Sequence, residues 1–199
     1  WPTVIVETEG DQGELSTLSV DDATRIIQFG LDKWHETIAT KEFESVLFFK
    51  NHGPMSGGSI RHPHSQIIGL RNYDYHEDIT VKNMNGWLLH EDQDIRITLS
   101  KHPIIGFFEY NLRYKPDAPV RSIAMRLQQT IRYVLDSLAK FSQSYNYFFY
   151  QLEDGYEYIK VIPRYITTPL YVGYKIPQTC NDERAAKILQ NITPYFELK

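Results

Sequence analysis

Apolar positions along this chain recur in two rhythms, and the switches between them mark its elements. "TVIVET" at 3–8 groups Val4, Ile5 and Val6 in a β-favouring run and predicts a strand. Gly10, Asp11 and Gly13 interrupt it. From Ser19 to Thr40 the apolar residues Val20, Ala23, Ile27, Leu31, Trp34 and Ile38 return every three or four places, which predicts a helix with one apolar face. Ser19 is placed to cap that helix, and Asp21 and Asp22 fall in its positive first turn. "SVLFFK" at 45–50 predicts a buried strand, and "HPHSQIIGL" at 62–70 predicts the next one after a glycine-rich loop.

The second half follows a similar order. "GWLLHEDQDIRITLSKHP" predicts two strands around the acidic turn Glu91–Asp92–Gln93–Asp94. Pro119 stands at a first helical position, and Ile123, Leu127, Ile131, Val134, Leu135 and Leu138 line one face of a helix reaching about Phe141. "YNYFFYQ" at 145–151 and "YEYIKVIPRY" at 156–165 predict two more strands, and 182–191 a last helix. The halves can be laid over each other, His62 on Tyr156, His64 on Tyr158 and Gln66 on Lys160. The reading is an α+β chain of two tandem repeats, 1–85 and 86–199, the first carrying the more unusual residues.

Composition narrows the partners. The 199 residues are 42% hydrophobic and 23% charged, which fits a folded globular chain. The net charge is −4, and Lys and Arg are scattered rather than massed, so no nucleic-acid partner is expected. An anionic small molecule would need a local site, because the overall field repels it. Cys180 is the single cysteine, which fits a reducing compartment, and the expected location is cytoplasmic. The apolar runs are too short to span a membrane as a helix. The chain opens at Trp1 rather than Met, and reads as the remainder of a longer protein.

Chemistry concentrates in "GPMSGGSIRHPHSQIIGL" at 53–70. Alternate strand residues share a face, so His62, His64 and Gln66 are expected together, with Pro63 and Ser65 opposite. Pro63 has no N–H, which predicts a sheet edge or a bulge there. Gly57 and Gly58 let the backbone approach a bound group, and successive N–H groups in such a turn can cradle an anion. Ser59 adds a hydroxyl, and Asn51, ending the preceding strand, an amide. A phosphate held beside a neutral imidazole suggests nucleophilic attack by histidine on phosphorus. A metal site needs more ligands than two histidines, and a serine hydrolase needs an acid that is not visible. Two ordinary surface histidines remain the plain alternative. Lys160 and Arg164 could neutralise phosphate or be solvated strand-end charges. His52 and His102 lie by loops, where structural or solvent roles are expected.

"HPHSQ" resembles the His-Pro-His-x-Gln signature of the galactose-1-phosphate uridylyltransferase branch of the histidine-triad superfamily. "FFKNHG" at 48–53 is similar to that branch's Phe-x-Asn-x-Gly strand end, and "GGS" stands where it has small residues and a serine. "TVIVET…LSTLS", "YVGYK" at 171–175 and "ERAAKIL" at 183–189 extend the likeness over nearly the whole chain. The resemblance implies a histidine-triad-like fold of two repeats sharing one sheet. It implies a ping-pong nucleotidyl transfer between a nucleotide sugar and a sugar 1-phosphate, with His64 as nucleophile. Gln66, Asn51, Gly57, Gly58 and Ser59 would hold phosphate oxygens. Triad hydrolases carry a third histidine where Gln66 stands. An imidazolium there can protonate a poor leaving group and a glutamine cannot, so Gln66 favours phosphate leaving groups. The resemblance leaves room for phosphorolysis or hydrolysis of nucleotides at the same site, for a binding protein without turnover, and for a homodimer.

Departures from the family bear on metal and sugar. His62 falls where relatives often hold structural zinc, but the cysteine pair that would complete the site is not in this chain. Tyr156 and Tyr158 replace the histidines many relatives keep in the second repeat. Lys175 stands where the family has a hexose-binding glutamate, so galactose specificity is not implied.

Overall fold

The computed structural model describes residues 1–11, 13–58, 60–106, 108–138, 143–165 and 181–197. Eight antiparallel strands form one sheet, β1 (Pro2–Val6), β2 (Ser45–His52), β3 (His64–Leu70), β4 (Gly86–Glu91), β5 (Ile95–Ser100), β6 (Tyr110–Tyr114), β7 (Ser144–Gln151) and β8 (Glu157–Arg164). Their order across the sheet is β1-β3-β2-β7-β8-β6-β5-β4. The helices are α1 (Val20–Ala39), the short α2 (Val81–Met84), α3 (Val120–Leu138) and α4 (Asn181–Glu197). The α+β class is as the pattern predicts, and the single shared sheet is as the resemblance implies.

The predicted helix at 19–40 is α1, capped as expected by the Ser19 side chain, which accepts from the Asp22 N–H at 3.0 Å. Its apolar stripe of Ala23, Ile27, Leu31 and Trp34 is buried against the sheet. Gly30 lies on the same face, where a Cβ would stand 2.4 Å from the Phe48 ring, so helix and sheet meet closely there. Trp34 donates its indole N–H to the Val46 carbonyl at 2.9 Å. Its ring lies over Phe48 and Phe149, which stack at 4.2 Å across the β2–β7 pair. Helices α3 and α4 cover the rest of this face through Ile123, Leu127, Ile131, Ile188 and Ile192.

Three features differ from the pattern. β6 was not predicted; its alternation of buried Tyr110, Leu112 and Tyr114 lies in a five-residue stretch, and it sits between β8 and β5. The last helix runs to Glu197 rather than 191, carried past Pro194 by the buried face of Ile188, Ile192 and Phe196. The segment at 75–84 is not plain loop. It packs Tyr75 and Met84 with Leu152 and Tyr158 over the second face of the sheet. The predicted end of α3 at Phe141, the "YVGYK" segment, Lys175 and Cys180 lie outside the described residues.

One ionisable pair ties α1 to the sheet. His35 Nε2 meets the buried Glu157 carboxylate at 2.6 Å, and that hydrogen bond raises the imidazole pKa above its ordinary 6.5. A raised folded-state pKa means that the pair stabilises fully below the unfolded value and is lost as pH rises through the folded one. The stability advantage of the wild type over His35→Gln should therefore be greatest near pH 6 and shrink toward about pH 9. Urea unfolding of both proteins across that range measures it.

Candidate active site

β2 changes partner along its length. Its first residues pair with β3, from Ser45↔Leu70 to Phe49↔Gln66. Its last residues pair with β7, from Phe48↔Phe149 to His52↔Tyr145. β3 meanwhile stays paired with β1 as far as Val6↔His64. A fork therefore opens between β2 and β3 at the "HPHSQ" motif. A cleft of about 420 Å³ lies there, lined by Asn51, His52, Gly58, Arg61, His62 and Pro63 among others. A larger groove of about 720 Å³ runs between the outer side of β1 and α1, past Val4, Val6 and Phe29, and none of the motif's histidines line it.

His64 opens β3 and is only 5% exposed. Its Nδ1 lies 2.7 Å from the His62 carbonyl oxygen. A carbonyl can only accept, so Nδ1 carries a proton, and in the neutral ring Nε2 is the nitrogen that holds the lone pair. No partner for Nε2 is found among the described residues. Backbone geometry alone thus selects the tautomer of the neutral His64 ring. Gln66 lies two residues on, on the same sheet face and half-buried, as alternation requires.

A polar chain runs from the far side of the sheet toward this histidine. Arg164 Nη1 donates to Asn146 Oδ1 at 2.8 Å. The guanidinium has no acceptor, so it fixes which way the Asn146 amide points. Asn146 Nδ2 then donates to Asn51 Oδ1 at 2.6 Å and to the Ser56 carbonyl at 3.0 Å. Asn51 is left with its own amide N–H groups to offer. Arg164 and Asn51, predicted separately, are brought into one network. Asn146, which joins them, was missed: in "YNYFFYQ" the aromatic run hides a polar residue directly opposite Asn51.

The loop between β2 and β3 is pinned at several points. Gly53 has φ +79°, and a Cβ there would lie 2.4 Å from Ser144 Oγ, so only glycine fits. Ser56 Oγ donates to the Gly53 carbonyl at 2.7 Å, and Gly58 N–H donates to Ser56 Oγ at 3.3 Å. Gly57 takes φ +84°, and Gly58 rests against Asn51, with a would-be Cβ 3.1 Å from Asn51 Cβ. Of the two predicted cradle glycines, Gly58 is therefore beside Asn51, while a Cβ at Gly57 would meet nothing within 4 Å. Ser59 lies outside the described residues.

Other expectations are corrected. His62 precedes β3 instead of sharing its face with His64. Its Nε2 donates to the Thr8 carbonyl at 2.6 Å. Among the described residues no three His, Cys, Asp or Glu side chains gather where a metal could bind. The described residues do not fit the zinc site implied for His62. Pro63 stands just before β3, where the β2 pairing has already ended, so the chain is a sheet edge on that side at this point, as the sequence predicts.

Lys160 is not a free phosphate ligand. It is 0% exposed, and its Nζ is within 3.0 Å of Glu109, Ser100, Asn111 and the Asn83 carbonyl. Burial lowers its pKa, with Glu109 acting against the shift. His52 lines the cleft and stacks on Tyr145 at 5.0 Å, and burial lowers its pKa below 6.5.

The N-terminal domain of the DUF4931 family, a domain of unknown function, matches residues 1–73, and its C-terminal domain matches 76–196. No match was found among curated proteins. Among solved structures, a DUF4931 family protein from Bacillus cereus is 35% identical at a TM-score of 0.90, covering 100% of this chain and 90% of its own. A uridylyltransferase mutant is 17% identical at a TM-score of 0.75, over 97% of this chain and 78% of that one. An ADP-glucose phosphorylase from Arabidopsis thaliana, solved with bound ADP-glucose, is 12% identical at 0.75, over 97% and 73%. The fold is that of the uridylyltransferase branch, as the motif's resemblance implied.

Removing the Lys160 ammonium strands Glu109, itself 0% exposed, as an uncompensated buried charge. Lys160→Met should cost about 3–5 kcal/mol of stability. Chemical denaturation against the wild type checks this, and a cost below about 1 kcal/mol would mean that the pair is not buried as described.

Proposed function

The chain belongs to the DUF4931 family, and we propose that it is a nucleotidyltransferase that moves a nucleotidyl group between phosphates through His64. The supporting observation is the His64 Nδ1–H donated to the His62 carbonyl, which leaves the Nε2 lone pair as the reactive one. Solved structures of the same fold include a uridylyltransferase and an ADP-glucose phosphorylase, which favours a nucleotide sugar as donor.

His64 Nε2 attacks the α-phosphorus of the donor. The bond from that phosphorus to the bridging oxygen breaks, and its electron pair leaves with a sugar 1-phosphate. The nucleotidyl group stays on nitrogen as a phosphoramidate. A second phosphate oxygen then attacks the same phosphorus and restores the neutral imidazole. Asn51, oriented through Asn146 and Arg164, donates to the phosphoryl oxygens as charge develops on them. Gln66 adds a hydrogen bond but no proton. The chemistry is therefore matched to leaving groups that are already stable anions. Inorganic phosphate as the second acceptor, giving phosphorolysis, is the second reading, favoured by the phosphorylase of the same fold.

Exposing the protein to a panel of uridine and adenosine diphosphate sugars should add one nucleotidyl group, seen by intact-mass spectrometry and lost in acid. His64→Asn should abolish the adduct while leaving the melting temperature nearly unchanged. An adduct that persists in His64→Asn would overturn the assignment. Discharge of the labelled protein by sugar 1-phosphate, by inorganic phosphate or by water then separates transfer, phosphorolysis and hydrolysis.

A further inference from the structure

Beneath the fork between β2 and β3, on the helix-covered face of the sheet, lies a buried charged cluster, one member of which, Lys50, also lines the cleft. Its centre is Glu7, one residue past β1, whose side chain is 1% exposed. One carboxylate oxygen accepts from Lys50 Nζ, the other from Ser65 Oγ. The Lys50 side chain is also 1% exposed, and Ser65 Oγ lies 3.1 Å from the hydroxyl of the fully buried Tyr147.

The position of these residues is informative. The β2–β3 ladder ends at Phe49↔Gln66. The next cross-strand neighbours in that register are Lys50 and Ser65, the two residues that Glu7 bridges. One step further are Asn51 and His64. A side-chain bridge thus takes over where the backbone ladder stops, immediately before the pair that handles the phosphorus. Lys50 and Ser65 alternate with Asn51 and His64 along their strands and so take the helix side of the sheet, from which the clamp can set the separation of the other two.

We propose that Glu7 is a positioning residue, which, through Lys50 and Ser65, fixes the spacing between the Asn51 amide and the His64 imidazole. The effect on nucleotidyl transfer rests on the reading of His64 as nucleophile; the effect on His64 itself does not. A buried ion pair contributes little net stability over an apolar pair of equal volume, so stability alone does not account for this one under Asn51 and His64.

The test uses Glu7→Gln, Lys50→Met, their combination, and Ser65→Ala. Two readouts are taken beside thermal melting. One is the single-turnover rate of nucleotidyl labelling of His64. The other is the NMR titration and tautomer of the His64 imidazole without nucleotide, which needs no activity. The double variant removes both charges together and should recover most of the melting temperature lost by either single variant. Its labelling rate should stay down by about tenfold to a hundredfold, as expected for a reacting group displaced by up to an ångström. The His64 resonances should also move. Recovery of melting, rate and His64 resonances together would overturn the proposal.

If the double variant does not fold, Ser65→Ala decides. Slower labelling and shifted His64 resonances at near-native melting support the clamp, and wild-type values of both sink it. Should the wild type label with no nucleotide sugar, the transfer reading fails, and the His64 resonances alone still decide the clamp.

Discussion

The pairing of β2 with β7 joins the two halves of the molecule, and much else follows from it. The Phe48–Phe149 stack beneath Trp34 holds the junction from the helix side. Strands twist, and β2 is matched to β3 at one end and to β7 at the other. The outcome is a fork at one end of the strand, and Asn51, His62 and Pro63 line it. The site is thus a product of sheet geometry before it is a product of loop chemistry.

Where the β2–β3 ladder stops, a buried ion pair takes over, Glu7 with Lys50 on the helix face at the fork. Glu109 and Lys160 form a second buried pair on the opposite face, where Lys160 stays paired with both β6 and β7. There Glu109 also accepts the N–H groups of Ile104 and Ile105 at 2.8 Å each, and Lys160 reaches the Asn83 carbonyl. Each pair anchors chain that would otherwise carry unsatisfied polar groups. A lysine in a strand can therefore be a structural bolt, which explains why Lys160 looks, from sequence, like a phosphate ligand and is not one.

Legibility divided along physical lines. The helix at 20–39 was readable because period and cap agree, and its bounds fall within a residue of the pattern. β2, β3, β7 and β8 were readable as apolar runs between breakers. β6 was not, because five residues give alternation too little room to stand out from the loops around it. His64, Gln66, Asn51 and the two glycines were legible as one linear motif. Asn146 and Glu7 were not, because their meaning lies in cross-strand register, which a single sequence does not display. The partner of His62 is likewise a main-chain oxygen 54 positions away, and nothing in residue identity announces it.

That preference for main-chain partners has a genetic consequence. The group that sets the tautomer of the His64 imidazole is a peptide carbonyl, present whatever side chain residue 62 carries. No single codon change deletes it. Variation at 62 can alter how the segment is tethered to Thr8 while sparing the imidazole's tautomer, whereas variation at 64 removes the imidazole outright. Mutational tolerance around the site should therefore be steep at one histidine and shallow at its neighbour, although the two stand side by side in the motif.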